Sequence, residues 1–433
     1  MRFETVFAAR AWRLDFRHTW DGIAERFELL DVIDEGPWHR LPAGTGAAHV
    51  GDYRVTLTAA GSDAVRYSVP FNSLLAELRS AAYADDAQRG TVVAVRIPAP
   101  VVPMRLAVDG RTPDGRFAEL HAQALPRVAR PAAPPAGEVV VQQLGDRGDP
   151  RRTLDVALVS EGYVAADAAT FQRHAAAIAD VLWSTPPFST HRPRPNVWTV
   201  FAPSAGSGIT DATRELRAAT RFDTRFGILG IDRYLLPMAT ADVRSVAASA
   251  PYDTIIVVCN DEQYGGGGIF GHLAAVAGGA AKIEYLVRHE FAHSFGGLGD
   301  EYYNAPVTYE ELPARPWEAN VACSVDDARR KWGALLAPDL PLPTPWSKDE
   351  YEALTNHVPP DQTAAVRERV RALLEAEVHR GRVGMFEGAM YRATGYYRPE
   401  VDCLMFSNTA SGYCRVCRAA LEAALDELGG EPA

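Results

Sequence analysis

Residues 283–303 read IEYLVRHEFAHSFGGLGDEYY, a run with helical spacing that passes into a glycine-rich turn. Apolar residues recur at the spacing of one helix face: Ile283, Leu286, Val287 and Phe291. His289 and His293 are four residues apart, which on a helix is about 400° of rotation, so their imidazoles project from the same face one turn apart. The pattern therefore predicts a helix that carries two neighbouring histidines.

Two neutral imidazoles on one helix face can bind Zn²⁺. Glu290 follows the first histidine, and a carboxylate at that position can take a proton from a metal-activated water and deliver it to a leaving amine. The HExxH pattern therefore predicts a hydrolytic zinc site with His289 and His293 as ligands and Glu290 as general base. The alternative is a surface helix with two solvated histidines, which the apolar side of the helix does not favour.

A third ligand is expected just after the helix. Gly297 and Gly299 permit a sharp reversal of the chain. Asp300 and Glu301 follow at once, so a carboxylate can return to the metal and leave the fourth position open for water, as catalytic zinc requires. The spacing fits both carboxylates equally well. Glu387, farther along the chain, is another alternative for a third ligand on a later segment.

The composition is that of a large globular protein. The chain has 433 residues, of which 47% are hydrophobic and 23% charged, and its length suggests about two to four domains. Lys and Arg number 44 against 55 Asp and Glu, which gives a net charge of −11. This balance argues against nucleic acid as a partner. Apolar runs are too short for a membrane span, and the N-terminus lacks the pattern of a signal peptide.

The first part of the chain has the pattern of a β-protein. Short alternating segments are typical of strands with one buried face: 53–58, 65–69 and 91–97. They predict an all-β sandwich over residues 1–125, with one helix near Leu74–Ala84. Residues 126–138 are rich in Pro and Ala, which indicates an extended linker between two domains.

Residues 139–433 have a different pattern. Apolar runs typical of buried strands lie at 154–160, 196–201 and 254–259. Helical spacing between them, as over 165–182, predicts an α/β domain. The run Gly265–Gly268 predicts either a purely structural turn or a sheet edge that accepts an extended substrate.

These residues resemble the igalysin family, bacterial zinc peptidases named after cleavage of immunoglobulin A and grouped with the metzincins. Metzincins carry HExxHxxGxxH or Asp, followed later by a Met-turn. The chain matches HExxHxxG from His289 to Gly296, but Asp300 stands one residue beyond the usual third ligand. Other matching segments extend the resemblance over nearly the full length: VSEGY at 159–163, YGGGGIFG at 264–271, FEGAM at 386–390, GYYRP at 395–399, VDCLMF at 401–406 and YCRVC at 413–417.

The resemblance implies a small β-domain followed by a metzincin-like zinc peptidase domain of α/β type. It implies a zinc-dependent endopeptidase with one catalytic Zn²⁺ and a protein or peptide substrate. It favours Asp300 as third ligand and assigns Met405 to the Met-turn, where a methionine otherwise would be an ordinary core residue. It also suggests a secreted bacterial protein, in contrast to the N-terminal pattern.

Several alternatives stay open. Cys403, Cys414 and Cys417 form a cluster, for which a disulfide or core packing is favoured over metal binding or redox chemistry, because a second cysteine pair is lacking. Three tyrosines near the motif are expected to pack in the core rather than bind an oxyanion: Tyr302, Tyr303 and Tyr413. The chain as a whole fits two other functions, a binding or adhesion protein with a structural or vestigial zinc site, and a zinc amidase acting on non-protein peptides.

Overall fold

The computed structural model describes residues 5–38, 49–59, 61–62, 64–75, 90–145, 148–304, 315–356 and 363–429. The strands are β1 (Phe7–Trp20), β2 (Glu25–Pro37), β3 (Tyr53–Ala59), β4 (Val65–Phe71), β5 (Thr91–Pro100), β6 (Met104–Arg111), β7 (Phe117–Ala124), β8 (Arg130–Pro131), β9 (Val140–Leu144), β10 (Asp155–Glu161), β11 (Asn196–Phe201), β12 (Thr224–Arg225), β13 (Leu236–Pro237), β14 (Thr254–Cys259), β15 (Gly266–Ile269), β16 (Leu273–Ala277), β17 (Phe386–Ala389) and β18 (Arg392–Arg398). The helices are α1 (Ala168–Ser184), α2 (Thr240–Ala247), α3 (Ile283–Gly296), α4 (Val325–Trp332), α5 (Lys348–Thr355), α6 (Thr363–Ala376) and α7 (Arg415–Gly429).

The N-terminal part consists of two four-stranded sheets, in the orders β5-β1-β2-β8 and β4-β3-β6-β7. Alternation of side chains along each strand turns one face of each sheet inward. The inward residues of both sheets form one hydrophobic cluster. Its fully buried side chains include Leu14, Phe16, Val55 and Leu57. The three segments predicted as strands are β3, β4 and β5. The predicted helix starts with a helical turn at Leu74, and its remainder lies outside the described residues.

The Pro- and Ala-rich segment that follows this part contributes a short edge strand to the first sheet. Arg130 and Pro131 form β8, which pairs in parallel with Ile33 and Asp34 of β2. Proline is compatible with an edge strand because its missing N–H group faces away from the ladder. The predicted linker thus includes a short strand that keeps contact with the N-terminal sheet.

The C-terminal part contains a six-stranded sheet of order β15-β16-β14-β10-β11-β9. Its four inner strands run parallel, and the two outer strands, β9 and β15, run antiparallel to their neighbours. The predicted strands at 196–201 and 254–259 are β11 and β14, and both are almost continuously buried. Helices α1 and α3 contact each other and the sheet. Among the described residues, no helix has the length and apolar character needed to cross a membrane.

Helix α2 and a buried polar network join the two parts. Helix α2 contacts both β5 and β10. The Glu35 carboxylate lies 3.3 Å from Arg13 Nη1 and 3.0 Å from Arg96 Nε. It also accepts a hydrogen bond of 3.0 Å from the Tyr252 hydroxyl of the C-terminal part. Because the Glu35 side chain is only 2% exposed, its charge is compensated by these partners and not by water.

We expect Glu35→Ala to lower the free energy of unfolding by about 3–5 kcal/mol, because two guanidinium groups then lose their common buried partner. Urea unfolding of the full chain measures the change. Glu28→Ala is the matched control, since Glu28 is 64% exposed in its ion pair with Arg17, and exposed pairs contribute little. Equal unfolding midpoints for the two variants would contradict the prediction.

Candidate metal centre and active-site cleft

A large cleft of about 1790 Å³ lies between the two parts of the molecule. Its N-terminal side is lined by residues of the β-sheets and their connections, among them Trp20, Asp52, Tyr53 and Arg111. Its C-terminal side includes the residues of the sequence motif: His289, Glu290, His293 and Asp300. The predicted site residues are therefore brought together at a cavity large enough for a polypeptide segment.

Helix α3 places the two imidazoles as the spacing predicts. The Nε2 atoms of His289 and His293 are 3.2 Å apart. Each Nδ1 atom lies by a backbone carbonyl, at 3.2 Å from Leu404 O for His289 and at 2.6 Å from Leu298 O for His293. An Nδ1–H group that donates to a carbonyl leaves the Nε2 lone pair free for a metal ion.

The end of α3 explains how one of these carbonyls reaches its histidine. Gly297 has a left-handed backbone with φ of 59°, and its N–H group donates to His293 O. A side chain here would also collide with Trp317, since a Cβ atom would lie 2.8 Å from the indole ring. The reversal at this glycine turns the Leu298 carbonyl back onto His293 and directs the chain toward Asp300.

Asp300 completes a compact set of three ligand atoms. Its Oδ1 atom lies 2.9 Å from His289 Nε2 and 3.3 Å from His293 Nε2. Donors about 2.0–2.1 Å from one zinc ion in a tetrahedral arrangement would be about 3.3 Å apart, so these separations fit a shared ion. Oδ1 is buried, and the described residues give it no partner with hydrogen-bond geometry. The second oxygen, Oδ2, accepts a hydrogen bond from the Tyr391 hydroxyl.

The electrostatics of this set favour positive charge. Burial acts to lower the pKa of His293, but the Asp300 carboxylate, Glu290 and the Leu298 carbonyl together raise that pKa to about 9. Burial likewise acts to raise the pKa of Asp300, yet the two histidines hold it well below its usual value. A proton on an imidazole and a metal cation are alternative ways to supply the charge that this carboxylate attracts.

Glu290 lies between α3 and the edge strand β15. A Cβ atom on Gly266 would be 2.9 Å from Glu290 Cγ, and one on Gly268 would be 2.3 Å from Glu290 O. Glycine at these positions therefore allows the strand to approach the helix without side chains between them. Burial raises the pKa of Glu290, against the opposing effect of His289 and His293. The glycine run is thus part of an edge strand paired with β16.

Met405 is fully buried in a tight turn. The N–H groups of Phe406 and Ser407 both donate to Cys403 O at 2.9 Å. The same turn contacts the segments of the candidate ligands, because Leu404 O lies 3.2 Å from His289 Nδ1 and Met405 O accepts a hydrogen bond of 2.9 Å from the Glu301 N–H group. The segment predicted as a Met-turn is therefore a turn packed directly against the ligand-bearing segments.

The other two candidate carboxylates lie elsewhere. Glu301 turns away from the imidazoles, and its Oε1 atom is 3.1 Å from Cys417 Sγ. Glu387 forms an ion pair of 2.8 Å with Lys348. Of the three carboxylates considered from the sequence, the structure brings only Asp300 to the histidine pair.

The tyrosines of the motif have mainly packing roles. The Tyr302 ring lies nearly parallel to the His289 ring, with centroids 6.0 Å apart. Tyr303 packs against Phe406. The Tyr413 hydroxyl donates to Arg288 O at 2.6 Å and thereby fastens the segment before α7 to the backbone of α3.

Two hydroxyl contacts of the candidate ligands were not predicted from the sequence. The Tyr285 hydroxyl lies 3.3 Å from His289 Nδ1, and its position four residues before that histidine could have revealed it. Tyr391, which donates to Asp300, has a left-handed backbone with φ of 61°, an uncommon conformation for a residue with a side chain. No local sequence signal links it to a carboxylate 91 residues away.

Comparison with known families gives two matches that together span nearly the whole chain. The IgA Peptidase M64 family matches residues 142–425, and the Peptidase M64 N-terminus matches residues 2–122. None of the curated proteins searched matches the chain. The matches describe an N-terminal domain followed by a peptidase domain, so a protein or peptide is the substrate. With most of its length matched, the chain belongs to the IgA peptidase M64 family.

Proposed function

We propose that this protein is a zinc-dependent endopeptidase with a metzincin-like catalytic domain. One observation carries the proposal: three ligand atoms, His289 Nε2, His293 Nε2 and Asp300 Oδ1, lie 2.9–3.3 Å from one another in residues that line the cleft. Three protein ligands with the fourth position open are the arrangement of a catalytic zinc site.

The ligand set and its surroundings suit zinc. Imidazole and carboxylate donors bind this ion, whose tetrahedral preference fits the ligand separations. When bound, the ion supplies Lewis acidity and lowers the pKa of water. The carbonyl groups of Leu298 and Leu404 keep each imidazole oriented, and the Tyr391 hydroxyl orients the Asp300 carboxylate. Such outer contacts commonly determine metal affinity.

Glu290 is the general base in this proposal. It lies next to His289 on α3 and lines the same cleft. From there its carboxylate takes a proton from the attacking water and then delivers that proton to the leaving amine. Three consecutive glycines of β15, Gly266 to Gly268, have no side chains that could stand between the Glu290 carboxylate and an attacking water.

The substrate is proposed to lie along β15 as an additional strand. On the outer edge of β15, Gly266 is already bonded to Arg233 O and to the Leu235 N–H group, at 3.0 and 3.2 Å. The next outward-facing residue is Gly268, which lines the cleft, because alternate residues of a strand face the same edge. An extended peptide can therefore continue the pairing at Gly268 by β-augmentation.

The family match favours peptide hydrolysis over the alternative of a binding or adhesion protein. The amidase alternative differs only in the substrate, because the chemistry at the zinc site is the same. The cleft also has walls from the N-terminal domain, including Trp20, Asp52 and Arg111. We propose that these residues of the N-terminal domain contribute to substrate specificity. The identity of the substrate does not follow from a family name.

The first prediction for this site concerns the base. Glu290→Gln should retain zinc, but its kcat should be lower by a factor of about 10²–10⁴. The amide keeps the shape of the side chain but cannot accept the proton. Metal analysis and cleavage of a mixed denatured-protein substrate measure the two properties. Glu284→Gln on the same helix is the control, since Glu284 is exposed and pairs with Arg288. Full activity in Glu290→Gln would refute the mechanism.

The second prediction concerns the third ligand. Loss of a residue that only supports a ligand typically lowers zinc affinity by about 10–100-fold. Asp300→Ala should lower the affinity by more than this, because it removes a direct ligand. Titration with a competing chelator measures the affinity. Glu387→Ala is the control, since its carboxylate pairs with Lys348. A similar affinity for zinc in both variants would remove Asp300 from the ligand set.

The third prediction concerns the approach of β15 to α3. Gly268→Ala places a Cβ atom 2.3 Å from Glu290 O and 2.8 Å from His293 Cβ, so strand or helix must move. We expect kcat/KM to fall by about 100-fold, as misplacement of a reacting group by about 1 Å does. Gly412→Ala is the control, because a Cβ atom there meets nothing within 4 Å. Equal kcat/KM for both variants would show that close approach is not required.

A further inference from the structure

A second group of metal-ligating side chains lies next to the proposed catalytic site. It consists of Glu301, Cys403, Cys414 and Cys417, whose ligand atoms all lie within 4.8 Å of one another. All four residues are buried, and none is more than 4% exposed. The three cysteines are free thiols. We call this group the cysteine cluster.

The carboxyl group of this cluster is only partly satisfied by the residues around it. Glu301 is 0% exposed, and one of its oxygens, Oε1, accepts a hydrogen bond of 2.9 Å from Asn320. Its other oxygen, Oε2, is buried without a hydrogen-bond partner among the described residues. The charged form of a carboxyl group in such surroundings is costly unless a cation compensates it.

The nearby buried arginine does not supply that compensation by direct contact. The Arg398 guanidinium donates instead to backbone carbonyls, those of Val401 at 3.1 Å and of Gly388 at 2.9 Å. Among the described residues it forms no ion pair with Glu301, although its positive charge acts on that carboxyl group from a distance. The ligand oxygen of Glu301 lies instead within 4.8 Å of all three sulfur atoms.

The distances in the cluster are those of ligands around one ion. Cys403 Sγ and Cys417 Sγ are 3.7 Å apart. A disulfide would bring them to about 2.05 Å, whereas sulfurs about 2.3 Å from one tetrahedral zinc ion lie about 3.8 Å apart. Glu301 Oε1 is 3.1 Å from Cys417 Sγ and 4.0 Å from Cys414 Sγ. The carboxylate thus occupies the remaining corner of the group.

Backbone amides in the cluster are directed at sulfur. The Cys414 N–H group donates to Cys403 Sγ at 3.2 Å, and the Cys417 N–H group donates to Cys414 Sγ at 3.4 Å. Donors of this kind favour the thiolate over the thiol. They arise from the Cys-x-x-Cys turn at the start of α7, which exposes N–H groups that the helix leaves unpaired.

We propose that Glu301, Cys403, Cys414 and Cys417 bind a second, structural zinc ion. Four protein ligands close the coordination shell and leave no position for water, which separates this site from a catalytic one. Thiolate ligands select zinc over hard cations such as Mg²⁺ or Ca²⁺. The sequence alone offers three cysteines without a fourth ligand, and the fold supplies it from the residue that follows Asp300.

The second ion would hold together the segments that build the first site. Glu301 directly follows the ligand Asp300. Cys403 precedes Leu404 and Met405, whose carbonyls contact His289 and the Glu301 N–H group. Binding of Glu301 and Cys403 to one ion therefore fixes the ligand-bearing loop against the turn beneath α3, and the cysteines of α7 attach both to the C-terminal helix.

The test uses a full-length variant that lacks the first site. His289→Ala/His293→Ala removes two ligands there and leaves the cysteine cluster unchanged. We expect about two zinc ions per wild-type chain and about one in this double variant, as metal analysis of extensively dialysed protein would measure. Cobalt exchanged into the double variant should show thiolate-to-cobalt charge-transfer absorption. These readouts do not depend on peptidase activity and remain informative if the proposed function fails.

Matched cysteine variants locate the ion. Cys417→Ala added to the double variant should remove the remaining zinc and the charge-transfer absorption. Cys259→Ala in the same background should keep both, because Cys259 is an equally buried free thiol in β14, outside the cluster. A double variant without zinc or charge-transfer absorption would overturn the proposal. A mass lower by two hydrogens in wild-type protein, showing a disulfide in the cluster, would overturn it as well.

A further measurement covers the case in which these variants fail to fold. X-ray absorption at the zinc edge of the wild-type protein should show sulfur neighbours at about 2.3 Å in addition to nitrogen and oxygen. A spectrum with nitrogen and oxygen neighbours only would leave no zinc in the cysteine cluster and refute the proposal without any substitution.

Discussion

The contact between His289 and His293 across one turn of α3 is the constraint on which the C-terminal domain depends. Two Nε2 atoms 3.2 Å apart on a buried helix require an acceptor for each Nδ1–H group and negative charge nearby. The left-handed Gly297 satisfies the first need for His293 by turning Leu298 O toward it. The same reversal leads the chain to Asp300, which satisfies the second. The helix end, the acceptor for His293 and the position of the proposed third ligand thus follow from one backbone conformation.

Support for His289 comes from a distant part of the sequence. Its Nδ1 atom lies by Leu404 O, in the turn that contains Met405. That turn is held by two hydrogen bonds, from the Glu301 N–H group to Met405 O and from the Leu404 N–H group to Gly412 O. Tyr413, the residue after Gly412, donates in turn to the backbone of α3 at Arg288 O. The C-terminal segment therefore supports α3 both through this turn and by direct contact of α7 with α3, although neither α7 nor its connection carries a proposed catalytic group.

The sequence allowed prediction of features that depend on local spacing. The helix with both histidines, the buried strands β11 and β14 and the turn at Gly297 all follow from residue patterns within a few positions. Contacts between distant segments were not predictable, such as the hydroxyl of Tyr391 on Asp300 or the pairing of β8 with β2. The choice between the adjacent carboxylates also required the fold, because consecutive side chains of an extended chain point to opposite sides.

That divergence of Asp300 and Glu301 links the two proposed metal sites. A catalytic ligand must be held within about 0.5 Å of its working position, yet this segment lies outside regular helix and strand. Asn320 binds it from one side, through hydrogen bonds of 2.8 Å to both the N–H and the C=O group of Gly299 and of 2.9 Å to Glu301. An ion in the cysteine cluster would bind the same segment from the other side, through the Glu301 carboxylate. A loop held at both neighbours of Asp300 can position that carboxylate as rigidly as a helix positions the histidines.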